Sequence, residues 1–177
     1  MKLPTASDIK AYFPPQITFP VELAALCEWL GKYGYPISGD FELRAGDGNV
    51  FKHWFGTDSV SDRFGMFGAG PDGSIYAIWQ CDDGKMPIVH LGSEGQNNFV
   101  LANDMLDFMR LLAIGYSEMG FDDLTVPPPP KEVNPAFRNW VTSRFLVNIP
   151  ALGSAVTLPA QAWNQDFQKW VSGVLGW

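Results

Sequence analysis

The apolar residues of this chain are most regularly spaced between Phe64 and Gly95. Three short apolar runs occupy this stretch: Phe64–Phe67, Ile75–Cys81 and Pro87–Leu91. They are separated by two turn-type sequences, Gly70–Gly73 and Asp82–Lys85, and Asp-Gly between apolar runs is a strong signal for a hairpin. The pattern predicts a three-stranded antiparallel meander at about residues 64–92.

The second strand of this meander is apolar on both of its faces. Side chains alternate along a strand, so Ile75, Ala77 and Trp79 should face one way and Tyr76 and Ile78 the other. A strand of this kind is expected at the centre of a sheet that is covered on both sides. A structural role in the turns is assigned to Gly68, Gly70, Asp72, Gly73 and Gly84.

Helical spacing marks two elements on either side of the meander. The stretch Val21–Tyr33 is amphipathic with a period near 3.6, and glycine and proline follow it as stop signals. Apolar residues also recur at i, i+3, i+4 and i+7 from Met105 to Leu112, after Asn103, which has the chemistry of an N-cap. Short strands are predicted around Phe41–Leu43 and at Phe99–Leu101.

Prolines shape both ends of the chain. Four of them within residues 1–20 predict an extended arm, and the four at 127–130 predict a stiff polyproline connector. Beyond the connector, Asn134-Pro135 predicts a helix to about Arg144, and Leu158-Pro159 the start of a last helix with a strong apolar stripe.

These elements predict an α+β fold in one domain, as a length of 177 residues allows. We expect a twisted antiparallel sheet with helices packed mainly on one face. The core should span about residues 20–126, followed by the connector 127–130 and an appended C-terminal helical lobe at 131–177.

Charge narrows the choice of partners. The formal net charge is −7; residues 1–130 carry 8 basic and 17 acidic side chains, and residues 131–177 carry 4 and 2. An acidic body repels phosphate backbones, which disfavours direct binding of nucleic acid, and it would steer a basic protein partner.

The same composition gives an expectation for location. There is no run of about 18 apolar residues that would cross a membrane, and no basic region followed by an apolar run at the start. Cys27 and Cys81 are interpreted as buried free thiols, which favours a reducing compartment, the cytoplasm.

No catalytic, cofactor-binding or metal-binding motif is convincing. Gly68–Gly73 matches G-x-G-x-x-G, but a strand follows it where a dinucleotide site needs a helix. Ser93 has Leu91 where a nucleophile elbow has glycine, and only His53 and His90 could serve as its base. Spacings typical of zinc or calcium ligands are absent, and a pair of carboxylates meeting in space stays open.

Four stretches, in this order and spacing, resemble the Smi/Knr-like branch of the SUKH superfamily. They are Ile37–Leu43, Phe67–Trp79 with its Gly-Pro-Asp-Gly-Ser-Ile-Tyr-Ala-Ile-Trp core, Pro87–Gly95 and Leu106–Tyr116. The resemblance covers about residues 35–120. The N-terminal helix departs from the family pattern, and the tryptophan-bearing tail after Pro130 is not a general feature of it.

This resemblance implies an α+β sheet and a function in binding. Many members are bacterial immunity proteins that neutralise a toxin domain, often a nuclease, without catalysis of their own. We therefore expect a monomeric, non-catalytic protein that binds a basic toxin domain. Six acidic residues of predicted turns and loops are the candidate partner-binding positions: Asp47, Asp58, Asp62, Asp82, Asp83 and Glu94. Two alternatives stay open, a regulatory or scaffolding protein of the same fold and a small enzyme with a cryptic carboxylate site.

Overall fold

The computed structural model describes residues 3–176, and its centre is a five-stranded antiparallel sheet. The strands are β1 (Glu42–Leu43), β2 (Phe64–Ala69), β3 (Ile75–Trp79), β4 (Ile88–Leu91) and β5 (Phe99–Ala102). Each strand pairs with its neighbour in the chain, so the sheet is a simple meander with β3 at its centre. The predicted meander is confirmed, and β1 and β5 extend it on either side.

Helices surround this sheet, and the α+β class is confirmed. In the described residues they are α1 (Ala6–Lys10), α2 (Val21–Tyr33), α3 (Val50–Phe55), α4 (Met105–Ile114), α5 (Pro135–Phe145), α6 (Ser154–Ala160) and α7 (Asn164–Leu175). Short 3₁₀ helices lie at Asp58–Arg63, Pro130–Glu132 and Gln161–Trp163. The last residue of the proline run therefore begins a 3₁₀ turn rather than continuing an extended connector.

The helix boundaries follow their capping chemistry. Helix α2 has the predicted bounds and ends at Gly34, whose φ is +73°. Helix α4 is capped by Asp104 and not by the predicted Asn103, because the Asp104 carboxylate accepts a bond from the Asp107 N–H at 2.9 Å.

Two predictions at the chain ends are wrong. Residues 1–20 are not one extended arm, since Thr5 and Asp8 form a capping box that starts α1 between two of the prolines. The last helical stretch does not start at Leu158-Pro159. Pro159 lies inside α6, one residue before its end, and a 3₁₀ turn then leads into α7.

Both faces of the sheet are covered, as the alternation in β3 predicts. Tyr76 and Ile78 belong to a larger core cluster with residues of α1, α2, α4 and α5. Ile75, Ala77 and Trp79 belong to a second cluster with residues of α3 and α7. Most helices thus pack on one face, and the C-terminal segment divides, with α5 on that face and α7 on the other.

Side chains also close the two edges of the sheet. At β5, the backbone N–H of Val100 donates to Asn164 Oδ1 at 3.1 Å, and Gln161 Nε2 donates to the Val100 carbonyl at 3.2 Å. At β1, the backbone N–H of Leu43 donates to the Tyr35 hydroxyl at 2.6 Å. An open edge invites pairing with another chain, so these bonds protect the fold from aggregation.

The predicted turn residues divide into two roles. Asp72 Oδ1 accepts the Ser74 N–H at 3.0 Å, and Gly73 has a φ of +87°, so the β2–β3 turn needs both residues. Gly70 opens the same turn, and Gly84 lies in the β3–β4 turn. Gly68 is not a turn residue: it lies inside β2, where a Cβ atom would come within 2.4 Å of the Phe41 ring.

We predict that Asn164→Ala lowers the free energy of unfolding by about 1–3 kcal/mol, because the buried N–H of Val100 then loses its acceptor. Urea denaturation followed by circular dichroism measures this. Gln165→Ala is the matched control, since Gln165 is exposed on the same helix and should change stability little. Equal losses in the two variants would contradict the edge-closing role of Asn164.

Candidate protein-binding surface

The six predicted acidic residues differ in whether their charge is already neutralised. Three of them have a cationic partner within the chain: Asp58 with Lys52 at 2.8 Å, Asp82 with Arg63 at 2.5 Å and Asp83 with Lys85 at 3.4 Å. We call these three the paired acids. Asp62 is exposed in the 3₁₀ turn before β2, and its carbonyl accepts a bond from the side chain of Gln16.

Asp47 and Glu94 lie elsewhere and are exposed. Asp47 precedes α3 and lines a shallow groove of about 320 Å³ together with Gly73 of the β2–β3 turn. Glu94 lies in the β4–β5 turn beside Ser93, whose hydroxyl donates to Asp72 Oδ2 at 3.3 Å. Both therefore lie near the β2–β3 turn, and neither forms an ion pair with another described residue.

Beside this turn, the fold brings together four further carboxylates, which we call the acidic rim: Asp40, Asp72, Glu118 and Asp122. Backbone bonds hold the loops that carry them. The Asp40 N–H donates to the Ser117 carbonyl at 3.0 Å, and the Glu118 N–H donates to Asp122 Oδ2 at 2.8 Å. None of the ion pairs between described residues includes a member of the rim.

The electrostatics of the rim show that its charges act on one another. Burial raises the pKa of Glu118, and repulsion by Asp72, Asp122 and Asp40 raises it further. Partial burial also acts to raise the pKa of Asp72, but hydrogen bonds from Ser74 and Ser93 outweigh it and hold that pKa below its usual value. Asp72 is thus kept ionised beside Glu118, and the surface keeps its negative charge at neutral pH.

Sequence reasoning missed the rim as a site, although it assigned Asp72 to the turn. Asp40, Asp72 and Glu118 are more than thirty residues apart from one another along the chain, and they meet only because the loops after α2 and α4 reach the same end of the sheet. The one local signal was the acidic composition of residues 118–123, a stretch that reads equally well as an ordinary turn.

Beneath the loop that carries Glu118 and Asp122 lies a buried histidine. His90 of β4 donates from Nδ1 to the Asn97 carbonyl at 2.8 Å, and its Nε2 has no partner among the described residues. That nitrogen abuts Gly120, where a Cβ atom would come within 2.3 Å of it, and the Phe121 ring meets the imidazole edge-on at 5.9 Å. Burial lowers the pKa of His90, and Asn97 and Asp72 oppose this only in part.

The sequence motifs that suggested enzymes resolve into turns and packing. Gly68–Gly73 ends β2 and forms the β2–β3 turn. The Ser93 hydroxyl donates to Asp72, while His90 donates to Asn97, so these two do not form a nucleophile–base pair.

Among the described residues, no group of three or more His, Cys, Asp or Glu side chains is arranged to hold a metal ion. No helix in this part of the chain has the length and apolar character to cross a membrane.

Comparison with known proteins leaves the family open. The chain significantly matches no family model, no curated protein and no solved structure. The resemblance to the SUKH superfamily therefore stays a prediction from the sequence.

We predict that Glu118→Gln raises the free energy of unfolding at pH 7 by about 0.2–1 kcal/mol, the range measured for exposed charge pairs. The ionised carboxylate is repelled by the rest of the rim at this pH. The gain should disappear as the pH falls through the raised pKa of Glu118, because the wild-type group is then protonated. Urea unfolding at pH 7 and pH 4 tests this, with Glu28→Gln, at an exposed position of α2, as control; a gain of equal size in both variants would argue against a coupled rim.

We also predict that His90 makes stability depend on pH in mildly acidic solution. Its folded pKa is lowered, so the unfolded chain takes up a proton first, near pH 6.5, and stability falls as the pH drops below that value. His90→Gln should flatten the loss of unfolding free energy between pH 7 and pH 5. His53→Gln, at an exposed histidine, should keep the wild-type slope. Unchanged slopes in both variants would show that the pKa of His90 is the same in the folded and the unfolded chain.

Proposed function

We propose that this protein is a non-catalytic binding protein that neutralises a basic toxin domain in the cytoplasm, as its resemblance to SUKH immunity proteins implies. The observation that best supports this is the acidic rim. Four carboxylates lie together there, and none of them forms an ion pair with another described residue. A surface that carries uncompensated charge costs stability, and a partner of opposite charge would recover that cost on binding.

The surroundings of the rim suit a protein partner. Asp40 also lines a groove of about 400 Å³ with Glu42 and Arg44, open to solvent between β1 and the β2–β3 turn. Asp47 and Glu94 lie near that turn. Lysine and arginine side chains of a basic partner would meet several carboxylates at once, which favours rapid, salt-dependent association.

The acidic residues predicted from the sequence would contribute unequally to steering a partner. Asp47 and Glu94 join the rim as steering residues. The paired acids contribute less, because Lys52, Arg63 and Lys85 offset their fields at a distance. Asp62 lies between Asp58 and Arg63 in the chain and is grouped with them.

Two double variants test the steering surface. Asp40→Asn/Glu118→Gln removes two charges of the rim, and Asp58→Asn/Asp62→Asn removes two exposed charges outside it. The wild-type protein is first used as bait to capture its binding partner from the host, and this partner is purified. Association rates are then measured by stopped flow at increasing salt concentrations. We expect the rim variant to associate about threefold or more slowly at low salt, with a weaker salt dependence, and the control to match wild type. Equal slowing in both variants would assign the effect to net charge alone.

The toxin itself is tested by growth. Expression of the captured partner should arrest a laboratory host, and co-expression of this chain should restore growth. A captured partner that is harmless when expressed would favour the regulatory or scaffolding alternative. Partner turnover by this chain would favour a small enzyme.

A further inference from the structure

The C-terminal segment builds a second recessed site away from the acidic rim. Where α7 packs beside the β3–β4 turn, a cleft of about 440 Å³ opens to solvent. Its walls carry three tryptophans and three aspartates: Trp79, Trp163, Trp170, Asp82, Asp83 and Asp166. We call it the tryptophan cleft. Cys81 and Lys169 complete the lining.

The chain's own cations already lie against the tryptophans of this cleft. The Lys85 ammonium lies 3.8 Å from the centre of the Trp163 ring, and the Arg63 guanidinium lies 5.8 Å from the centre of the Trp170 ring. The negative face of an indole attracts a cation at these distances. These contacts indicate that the tryptophan rings at the edge of the cleft accept a cation.

Carboxylates and a cation both act on Cys81, which lines the cleft. Burial of the Cys81 thiol, together with Asp83, Asp82 and Asp166, raises its pKa to about 12, and Arg63 opposes this rise. Asp82 and Asp83 are each held by one cation, whereas Asp166 is exposed and forms no ion pair with a described residue. Asp166 is thus the carboxylate that a ligand could reach at least cost.

We propose that the tryptophan cleft receives an arginine side chain of the basic partner protein. The guanidinium is planar and weakly hydrated, so it can stack on an indole and pair with a carboxylate at the same time, which a lysine ammonium does less well. Asp166 pairs with it, and Trp163 or Trp170 supplies the stacking face in place of the Lys85 or Arg63 side chain that lies against it. The proposal rests on the proposed function for the existence of a basic partner, and the binding of arginine itself can be tested without that partner.

The test uses the peptide acetyl-Gly-Arg-Gly-amide as a probe, titrated into the full chain and followed by the indole N–H signals in NMR. The matched control is the same peptide with citrulline, which keeps the shape of arginine and lacks its charge. Trp29 and Trp140 pack together in the core cluster on the opposite face and serve as internal references. We expect arginine to shift the Trp163 and Trp170 signals, with dissociation in the millimolar range or tighter, and citrulline to leave them unchanged.

Asp166→Asn should weaken arginine binding about threefold or more, while the indole spectrum of the free variant stays that of a folded chain. Equal shifts with citrulline, or equal shifts of Trp29 and Trp140, would overturn the proposal. So would wild-type affinity in Asp166→Asn.

The two proposals fail separately. If the variant loses arginine binding but keeps the captured partner at full affinity, the cleft is not part of that interface and the proposed function stands. If wild type binds arginine in the cleft but captures no basic protein, the proposed function fails and the cleft remains.

Discussion

The fold depends on the need to cover a central strand that is apolar on both faces. Burying an apolar side chain contributes about 1.5–3 kcal/mol, so the residues of β3 favour whatever arrangement removes both sets from water. Helices α2 and α4 cover one face. The other face is completed by α3 and, from the end of the chain, by Phe167 and Val171 of α7. The C-terminal segment therefore completes the core.

The same segment solves a second problem at the edge of the sheet. Strand β5 has a partner only in β4, and Asn164 and Gln161 meet the polar groups on its open side. Tyr35 does so at β1. Side-chain amides and hydroxyls satisfy the backbone polar groups of an edge strand without adding another strand to the sheet.

Much of this architecture could be predicted from sequence, because it follows from local patterns. The alternation of Ile75–Trp79, the Asp-Gly turns and the spacing of α2 and α4 each involve residues that are near neighbours in the chain. Two small errors are local: Asp104 rather than Asn103 caps α4, and Pro159 lies inside the short helix α6. The sites were less predictable. The acidic rim brings Asp40 close to Glu118, and the tryptophan cleft brings Trp79 close to Trp163. These residues are far apart in the chain, so no local sequence pattern predicts that they lie together.

Charge pairing distinguishes the acidic rim from the tryptophan cleft in a way that composition could not. An excess of acidic residues says nothing about which are offset by a nearby cation, and only the fold places Lys52, Arg63 and Lys85 beside Asp58, Asp82 and Asp83. The rim keeps a long-range field suited to steering, whereas the tryptophan cleft has short-range groups suited to holding one side chain. Because α7 forms both a wall of that cleft and part of the core, a ligand bound there must also stabilise the docking of α7 on the sheet. If the cleft binds a ligand, binding and folding are coupled at this end of the molecule, and a variant that loosens α7 should weaken ligand binding even when it leaves every group that contacts the ligand intact.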